Sequence, residues 1–349
     1  MHPWNQPFEL DYNRRIFDEE LDEFLPEKIF DAHVHLAGPG CIPEEKPFSC
    51  GGVPVTNYTY ENLACDLAMA FPGRETAALC FGFPDPAYDT VASNRYVGNG
   101  ADFRRFFPLR LLDPLRDTAE SVSADLDRFG FLGLKPYPDY ARPGDIPNAE
   151  IPEMLPDWAM ELAHERQLLV VLHIPRPSRL EDPLNRRHIG ELCSRWPRAK
   201  IILAHAGRAY YLRGIIGLLE ELRHLPNLYF DVAMMQHWEV LAYLFREIAT
   251  DQLLFGSDIP IGLAQGKAVE INHQYSYVTP RPWSIALCDD RGRMRFTSFL
   301  NEELRAIRQA SEAARLSRSA IAALFHDNAR ALVDGVPSRK FNLNPVSKT

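Results

Sequence analysis

The sequence lacks any apolar run of about 18–20 residues, and this absence excludes a membrane-spanning helix of ordinary length. It also lacks a long basic run, and its net charge of −9 argues against a nucleic-acid surface. The first residues do not have the positive-then-apolar layout of a secretory signal, so a cytoplasmic location is expected. We therefore expect a small-molecule substrate and neither a nucleic-acid nor a membrane partner.

Cysteine pairs at metal-binding or redox spacing are also missing. The six cysteines are widely scattered, and none forms a C-x-x-C motif. We expect reduced thiols, as is usual in the cytoplasm. Cys41 and Cys50 share a loop, so a disulfide between them stays open for an exported protein.

What the chain does contain is eight short apolar runs that alternate with helical patterns. We predict strands near residues 28–36, 75–83, 106–113, 130–137, 167–174, 200–207, 227–234 and 252–259. We predict helices near residues 60–70, 90–99, 118–129, 153–165, 183–196, 212–223, 236–249, 301–309 and 317–333.

This alternation predicts a parallel sheet with helices outside it. A spacing of about 32 residues per unit favours an α/β fold of the (β/α)8 TIM-barrel type with long loops at its C-terminal rim. An open doubly wound sheet is disfavoured, because no Gly-rich phosphate turn follows the first strand. We predict one barrel domain over residues 1–349, with its core at 29–333, a lead-in at 1–26 and a long loop over the active site at 260–296.

Histidine or aspartate lies at the end of several of these strands, where parallel strands of a barrel converge. The residues are His33, His35, His173, His205 and Asp258. His33 and His35 are two residues apart, so both side chains project from the same face of the strand. Imidazole and carboxylate suit a zinc-like divalent ion, and we predict a metal site at this rim. Asp31 shares that face, where a supporting or structural role is favoured over direct ligation.

The motifs DAHVHL, HAG, GSD and the terminal HDNARAL, together with His173, resemble the amidohydrolase superfamily over nearly the whole chain. The similarity is greatest to its amidohydrolase 2 branch, which contains metal-dependent hydrolases and non-oxidative decarboxylases. The resemblance implies His33, His35, His173 and Asp258 as metal ligands, and Asp258 and His205 as catalytic residues. It implies one divalent metal, Zn²⁺ first and Mn²⁺ as the alternative.

Lys135 matches a strand-4 lysine that some two-metal members carbamylate, so a second metal with a carbamylated Lys135 is the less favoured alternative. A cationic substrate anchor is another role open to this side chain. Arg208, Tyr137 and Arg176 follow barrel strands and are predicted to bind substrate, since arginine recognises carboxylates. Asp231, on the seventh strand, is expected to have a structural rather than a supporting role at the metal.

The expected function is metal-dependent hydrolysis of a C–N or C–O bond in a small anionic amide, lactone or ester. The alternative is non-oxidative decarboxylation of an aromatic or unsaturated carboxylic acid at the same metal. A non-catalytic binding barrel is the least favoured interpretation, because such a protein has no need to retain all five rim groups. The oligomeric state stays open, and a homodimer suits this architecture.

Overall fold

The first barrel strand, β1 (Lys28–Leu36), is buried along almost its whole length, as its run of apolar residues predicts. The structure is a computed structural model that describes residues 7–142 and 144–337, so residues 1–6 of the predicted lead-in lie outside it. The other strands, in chain order, are β2 (Phe48–Cys50), β3 (Val53–Val55), β4 (Glu75–Gly82), β5 (Phe106–Pro108), β6 (Arg110–Leu112), β7 (Gly133–Pro136), β8 (Leu169–Leu172), β9 (Lys200–Leu203), β10 (Leu228–Asp231), β11 (Leu253–Leu254), β12 (Lys267–Ile271), β13 (Gln274–Thr279) and β14 (Ala286–Cys288).

Parallel pairing joins these strands into the predicted barrel. β1, β4 and β5 form one sheet, and β6 to β11 form a second in chain order. β5 and β6 are separated only by Leu109, so together they make the third barrel strand. Backbone hydrogen bonds connect β1 to the segment after β11, including Ala32 N to Phe255 O at 2.9 Å and His35 N to Ile259 O at 2.8 Å. The eight-stranded barrel prediction is therefore confirmed.

The helices lie mostly outside the barrel, although the short α9 follows β9 at the rim and includes His205. They are α1 (Pro7–Ile16), α2 (Tyr60–Ala70), α3 (Thr90–Gly100), α4 (Ala119–Phe129), α5 (Pro138–Ala141), α6 (Ile151–Met154), α7 (Asp157–Arg166), α8 (Pro183–Arg195), α9 (His205–Arg208), α10 (Trp238–Glu247), α11 (Phe299–Ala314), α12 (Arg318–Ala322) and α13 (Asn328–Asp334). Side-chain caps begin several of them: Thr59, Asp89, Thr118 and Ser298 each accept a backbone N–H of the first turn.

One predicted helix is wrong. Residues 212–223 form a short 3₁₀ turn at Leu212–Gly214 followed by further turns, not an α-helix. Gly214 and Gly217 interrupt the apolar pattern, and Gly217 adopts a positive φ of 74°. Glycine costs about 1 kcal/mol relative to alanine inside a helix, so two of them in one segment favour turns. Leu219 and Leu222 are nevertheless fully buried, which explains the misleading periodicity.

Two segments expected to lack regular structure contain it. The lead-in forms α1 and a π-helical turn at Phe17–Leu21, which is anchored where Ser298 N donates to Asn13 Oδ1. The segment 260–296 forms a three-stranded sheet in the order β12–β13–β14. All six cysteines are free thiols. Within residues 7–142 and 144–337, no helix is long and apolar enough to cross a membrane.

Candidate metal centre

The two histidines of β1 point their Nε2 atoms into the top of the barrel. Their Nδ1 atoms are already committed: His33 Nδ1 lies 3.0 Å from Asp231 Oδ2, and His35 Nδ1 lies 3.0 Å from the carbonyl oxygen of Gly82. A carbonyl or carboxylate oxygen accepts a hydrogen bond, so Nδ1 carries the proton in each neutral ring. The Nε2 atoms therefore carry the acceptor lone pairs, and the nearest donors to them are Lys135 Nζ and the Tyr137 hydroxyl, each at 3.4 Å. Burial lowers the pKa of His33 well below its usual range, which keeps that ring neutral.

Asp258 supplies the third group. Its Oδ1 lies 3.3 Å from His35 Nε2 and 3.6 Å from His33 Nε2. This oxygen is buried and has no hydrogen-bond donor within the described part of the chain. Burial alone raises the pKa of Asp258, but the neighbouring histidines outweigh it and lower the pKa to about 2. Two lone pairs and an ionised, unpartnered oxygen thus face one another, and this donor set fits a divalent cation.

His173 and His205 stand beside this group. The His173 ring stacks on Tyr137 at 5.0 Å and meets the His205 ring at 5.6 Å, whereas His173 is not part of the compact group formed by the β1 histidines and Asp258. His205 Nδ1 donates to Ala233 O at 2.8 Å, so its Nε2 is an acceptor in the neutral ring. Burial lowers the pKa of both rings.

Backbone strain accompanies two of these residues. His205 has a φ of 55° and Asp258 a φ of 59°, a region that residues other than glycine rarely occupy. Such strain costs about 1–3 kcal/mol per residue and persists where the surroundings enforce it. Here His205 N donates to Asp231 Oδ1 at 2.8 Å, and Asp258 N donates to His33 O at 2.9 Å. The strain turns both side chains toward the β1 histidines.

Lys135 and Tyr137 of the fourth barrel strand line the same space. Lys135 Nζ is fully buried and lies 3.4 Å from His33 Nε2, with the Phe81 ring centroid 4.5 Å away. Burial lowers the pKa of Lys135 to about 7. The hydroxyl of Tyr137 lies 3.4 Å from His35 Nε2, and burial raises its pKa well above 10, so it stays protonated.

Two aspartates support the histidines. Asp231 was expected to be structural, but it holds His33 Nδ1 with one oxygen and the His205 backbone N–H with the other. Its contact joins β10 to β1, which are distant in sequence and separated by β11, so no local sequence pattern indicates it. Asp31 accepts the backbone N–H groups of His33 and Ser257 and the Ser257 hydroxyl, in keeping with the supporting role expected for it. Burial raises the pKa of Asp31 to about 7.

The two arginines predicted to bind substrate, Arg208 and Arg176, have different surroundings in the structure. Arg208 lies next to the site, where its Nη1 donates to Ile174 O at 3.1 Å. Arg176 instead forms an ion pair with Asp182, with Nε to Oδ2 at 2.6 Å. Asp182 also caps α8, so this pair stabilises the rim loop.

The hairpin of β2 and β3 packs over one side of the site. The Phe83 ring stacks on His35 at 5.0 Å, and the hairpin residue Phe48 contacts Phe83 at 4.6 Å. The thiol of Cys50 donates to Pro260 O at 3.3 Å, which joins the hairpin to the segment 260–296.

The opposite side is covered by a second aromatic contact chain. The Tyr210 ring lies 5.7 Å from the His205 ring and 4.4 Å from Tyr275 of β13. The long segment 260–296 thus reaches the site through Tyr275. Aromatic rings therefore pack around the site on both sides, and His173 is half-buried.

Glu303 of α11 is a buried acid that the sequence pattern did not reveal. Its Oε2 accepts the backbone N–H of Met234 at 2.9 Å, next to the Ala233 carbonyl that binds His205. Its Oε1 is buried without a hydrogen-bond partner among residues 7–142 and 144–337. Burial raises the pKa of Glu303 well above its usual range and thus favours the neutral acid.

Glu303→Gln is therefore expected to remove a pH dependence of stability. The folded protein keeps a proton on Glu303 that the unfolded chain releases above about pH 4.3. The contribution of Glu303 to the free energy of unfolding is therefore largest below that pH and is lost as pH rises. As pH rises from about 4.3 toward the raised pKa of Glu303, the wild type should lose up to about 1.4 kcal/mol of folding free energy per pH unit relative to the variant. Urea unfolding over a series of pH values measures this. Glu220→Gln, at an exposed position, is the control, and a Glu303→Gln difference that is constant with pH contradicts the assignment.

Comparison with known proteins agrees with this geometry. A sequence profile described as amidohydrolase matches residues 30–335. An amidohydrolase from Burkholderia multivorans with bound HEPES is 15% identical, covers 88% of this chain and 99% of its own, and has a TM-score of 0.58. A crystal structure of a Burkholderia multivorans amidohydrolase with bound zinc is 14% identical with the same coverage and a TM-score of 0.57.

The 5-carboxyvanillate decarboxylase of Sphingomonas paucimobilis is 12% identical, with 88% and 99% coverage and a TM-score of 0.53. At these identities the likeness shows the fold. No curated protein sequence matches the chain. The profile match over most of the sequence shows that the chain belongs to the amidohydrolase family, in its amidohydrolase 2 branch, which includes hydrolases and decarboxylases.

Proposed function

We propose that this protein is a metal-dependent hydrolase that cleaves a C–N or C–O bond of a small amide, lactone or ester. The observation that carries the proposal is the unpartnered, ionised Oδ1 of Asp258 beside the Nε2 acceptors of His33 and His35. A buried carboxylate oxygen without a hydrogen-bond donor is unfavourable unless a cation neutralises it.

The proposed metal ligands are His33, His35, His173 and Asp258, and the proposed ion is zinc. Neutral imidazole and carboxylate are the ligands that zinc prefers in catalytic sites. When bound, a divalent ion supplies Lewis acidity, which polarises a carbonyl and lowers the pKa of a coordinated water from about 15.7 to about 7. Asp231 would fix the tautomer of His33, as supporting carboxylates do at metal sites.

Three side chains of the protein, Asp258, His205 and Tyr137, are proposed to transfer protons or form hydrogen bonds in the reaction. Asp258 is ionised and accepts the proton of the attacking water, then returns it to the leaving group. His205 offers Nε2 as an acceptor, because its Nδ1 proton is held by Ala233, and so orients the water. We do not assign His205 as a donor to the substrate carbonyl. That role needs a proton on Nε2 as well as on Nδ1, and the lowered pKa of His205 disfavours the doubly protonated ring. Tyr137 keeps its hydroxyl proton and donates to the developing oxyanion.

Lys135 determines whether a second metal is present. A neutral amine with a pKa of about 7 reacts with carbon dioxide to give a carbamate, and Nζ lies 3.4 Å from His33 Nε2. We nevertheless propose one ion with an unmodified lysine, because the carbamate would place a further anion in a fully buried position. Intact-protein mass measured without acid distinguishes the two states.

Decarboxylation at the same metal is the second candidate. The flat walls formed by Phe83 on His35 and by Tyr137 on His173 favour it, because they suit a planar unsaturated acid. In that reaction Asp258 or His205 would protonate the carbon as carbon dioxide leaves.

A metal-content measurement combined with a substrate panel tests the proposal. We expect about one equivalent of zinc per chain, acid release from lactones, esters or amides, and no carbon dioxide from aromatic acids. Carbon dioxide release without hydrolysis would transfer the assignment to the second candidate. A protein that binds no divalent metal after incubation with zinc or manganese would contradict both.

A further inference from the structure

Two arginines beside the candidate metal centre have buried donors with nothing to bind. The Nε N–H groups of Arg179 and Arg208 are buried and have no hydrogen-bond acceptor among the described residues. No carboxylate in the described ranges lies within 4.0 Å of either guanidinium, whereas the neighbouring Arg176 is paired with Asp182. A buried guanidinium donor without an acceptor is unfavourable, so these groups point to an anion that the chain itself does not provide.

The position of Arg208 links this anion to the active site. Its Nη1 donates to the carbonyl of Ile174, the residue that follows His173. The guanidinium therefore lies within direct electrostatic reach of a proposed metal ligand.

Arg179 is connected to the site through the rings of Tyr210 and Tyr275. Its Cζ lies 5.4 Å from the Tyr210 ring centroid and 4.5 Å from that of Tyr275, and Tyr210 packs against His205. Stacking on two rings fixes the guanidinium while leaving its in-plane N–H groups available. A positive φ of 53° at Arg179 and 59° at Arg208 shows that the backbone is held in an uncommon conformation at both positions.

One acid, Asp139, lies near Arg208 without forming an ion pair with it. Arg208 lowers the pKa of Asp139, although burial raises it more, so the two charges interact. They form no ion pair within 4.0 Å, since the ion pairs within residues 7–142 and 144–337 do not include either group. Lys46, which is paired with Asp85, adds further positive charge near Asp139.

We propose that Arg179 and Arg208 form a subsite for an oxyanion, carboxylate or phosphate, carried by the substrate in addition to the bond that is cleaved. The inference rests on the proposed function, because it places the reacting carbonyl at His33, His35 and Asp258. The substrate is then bifunctional: one end reacts, and the other is held by the planar donor faces of the two guanidinium groups.

Calorimetric titration of the zinc-loaded protein tests the subsite. The probes are malonate, succinate, glutarate and adipate, each compared with its half-amide, which has almost the same shape and one charge fewer. At least one diacid is expected to bind about tenfold to a hundredfold more tightly than its half-amide. The phosphonate analogue of the tightest diacid then shows whether the natural oxyanion is a carboxylate or a phosphate, and either result supports the subsite.

Arg179→Gln and Arg208→Gln should each bring the ratio of diacid to half-amide affinity close to one. Arg208→Lys should restore part of the preference for the diacid. Arg187→Gln is the matched control, because it removes one arginine charge from an exposed position of α8. Equal binding of every diacid and its half-amide by the wild type overturns the subsite, whether or not the variants fold. So does a preference that survives both glutamine substitutions.

These outcomes are separable from failure of the proposed function. A protein that binds zinc and hydrolyses substrate but lacks the diacid preference contradicts the subsite alone. A protein that binds no zinc contradicts the proposed function, and the same titrations on the metal-free chain still test the two arginines.

Discussion

Asp258→Asn is expected to lower kcat by about 10²- to 10⁴-fold, the usual contribution of a positioned general base. The amide keeps an oxygen at the position of Oδ1, next to the Nε2 atoms of His33 and His35, so much of the metal should remain bound. It cannot accept the proton of the attacking water. Steady-state kinetics and metal content, measured on the same preparation, separate the loss of a base from the loss of a ligand.

The matched control is Asp290→Asn, which makes the same chemical change at an exposed position. It should leave kcat unchanged. If Asp258→Asn retains metal and full activity, Asp258 is not the proton acceptor and the assignment fails. If the metal is lost together with activity, Asp258 acts mainly as a ligand and the base must be sought elsewhere, with His205 next in line.

Sequence patterns were sufficient for the barrel and for the location of the rim residues. A buried parallel strand is a short apolar run, and polar groups at its carboxyl end are unusual unless that end is used. His33, His35 and Asp258 come together because β1 and the segment after β11 are neighbours that close the barrel. This closure follows from the topology, which the regular spacing of strands already indicates.

The supporting contacts could not be predicted in the same way. Asp231 of β10 meets His33 of β1, and Glu303 meets Met234 from an outer helix, so the partners are distant in sequence. Which nitrogen of a histidine is protonated depends on such partners. The positive φ angles of His205 and Asp258 likewise depend on tertiary hydrogen bonds and not on local preference.

The choice among the rim arginines also required coordinates. The sequence favoured Arg208 over Arg176, although both follow a barrel strand. Only the structure shows that Arg176 is paired with Asp182 while the Nε atoms of Arg208 and Arg179 are left without acceptors. An arginine at the rim indicates an anionic group on the substrate only when no acid of the chain neutralises it.

Metal removal is the second change with a large expected effect. A chelator should abolish turnover, and zinc should restore it, because the protein's own groups do not replace Lewis acidity at the carbonyl. The metal-free protein should also be less stable, since the buried Asp258 Oδ1 would again lack a partner. Ligand linkage predicts about 2.7 kcal/mol of stabilisation when free zinc is at a hundred times its Kd.

Asp231→Asn refines this test, because it alters the partner of His33 without touching a proposed ligand. Zinc affinity should fall about 10- to 100-fold, the usual cost of changing a group that orients a ligating histidine. Competition with a chelating dye measures the affinity directly and needs no substrate. Asp334→Asn, at a half-exposed position of α13 paired with Arg330, should leave it unchanged. Zinc affinity that is equal in Asp231→Asn and the wild type would mean that His33 does not depend on Asp231 to bind the ion.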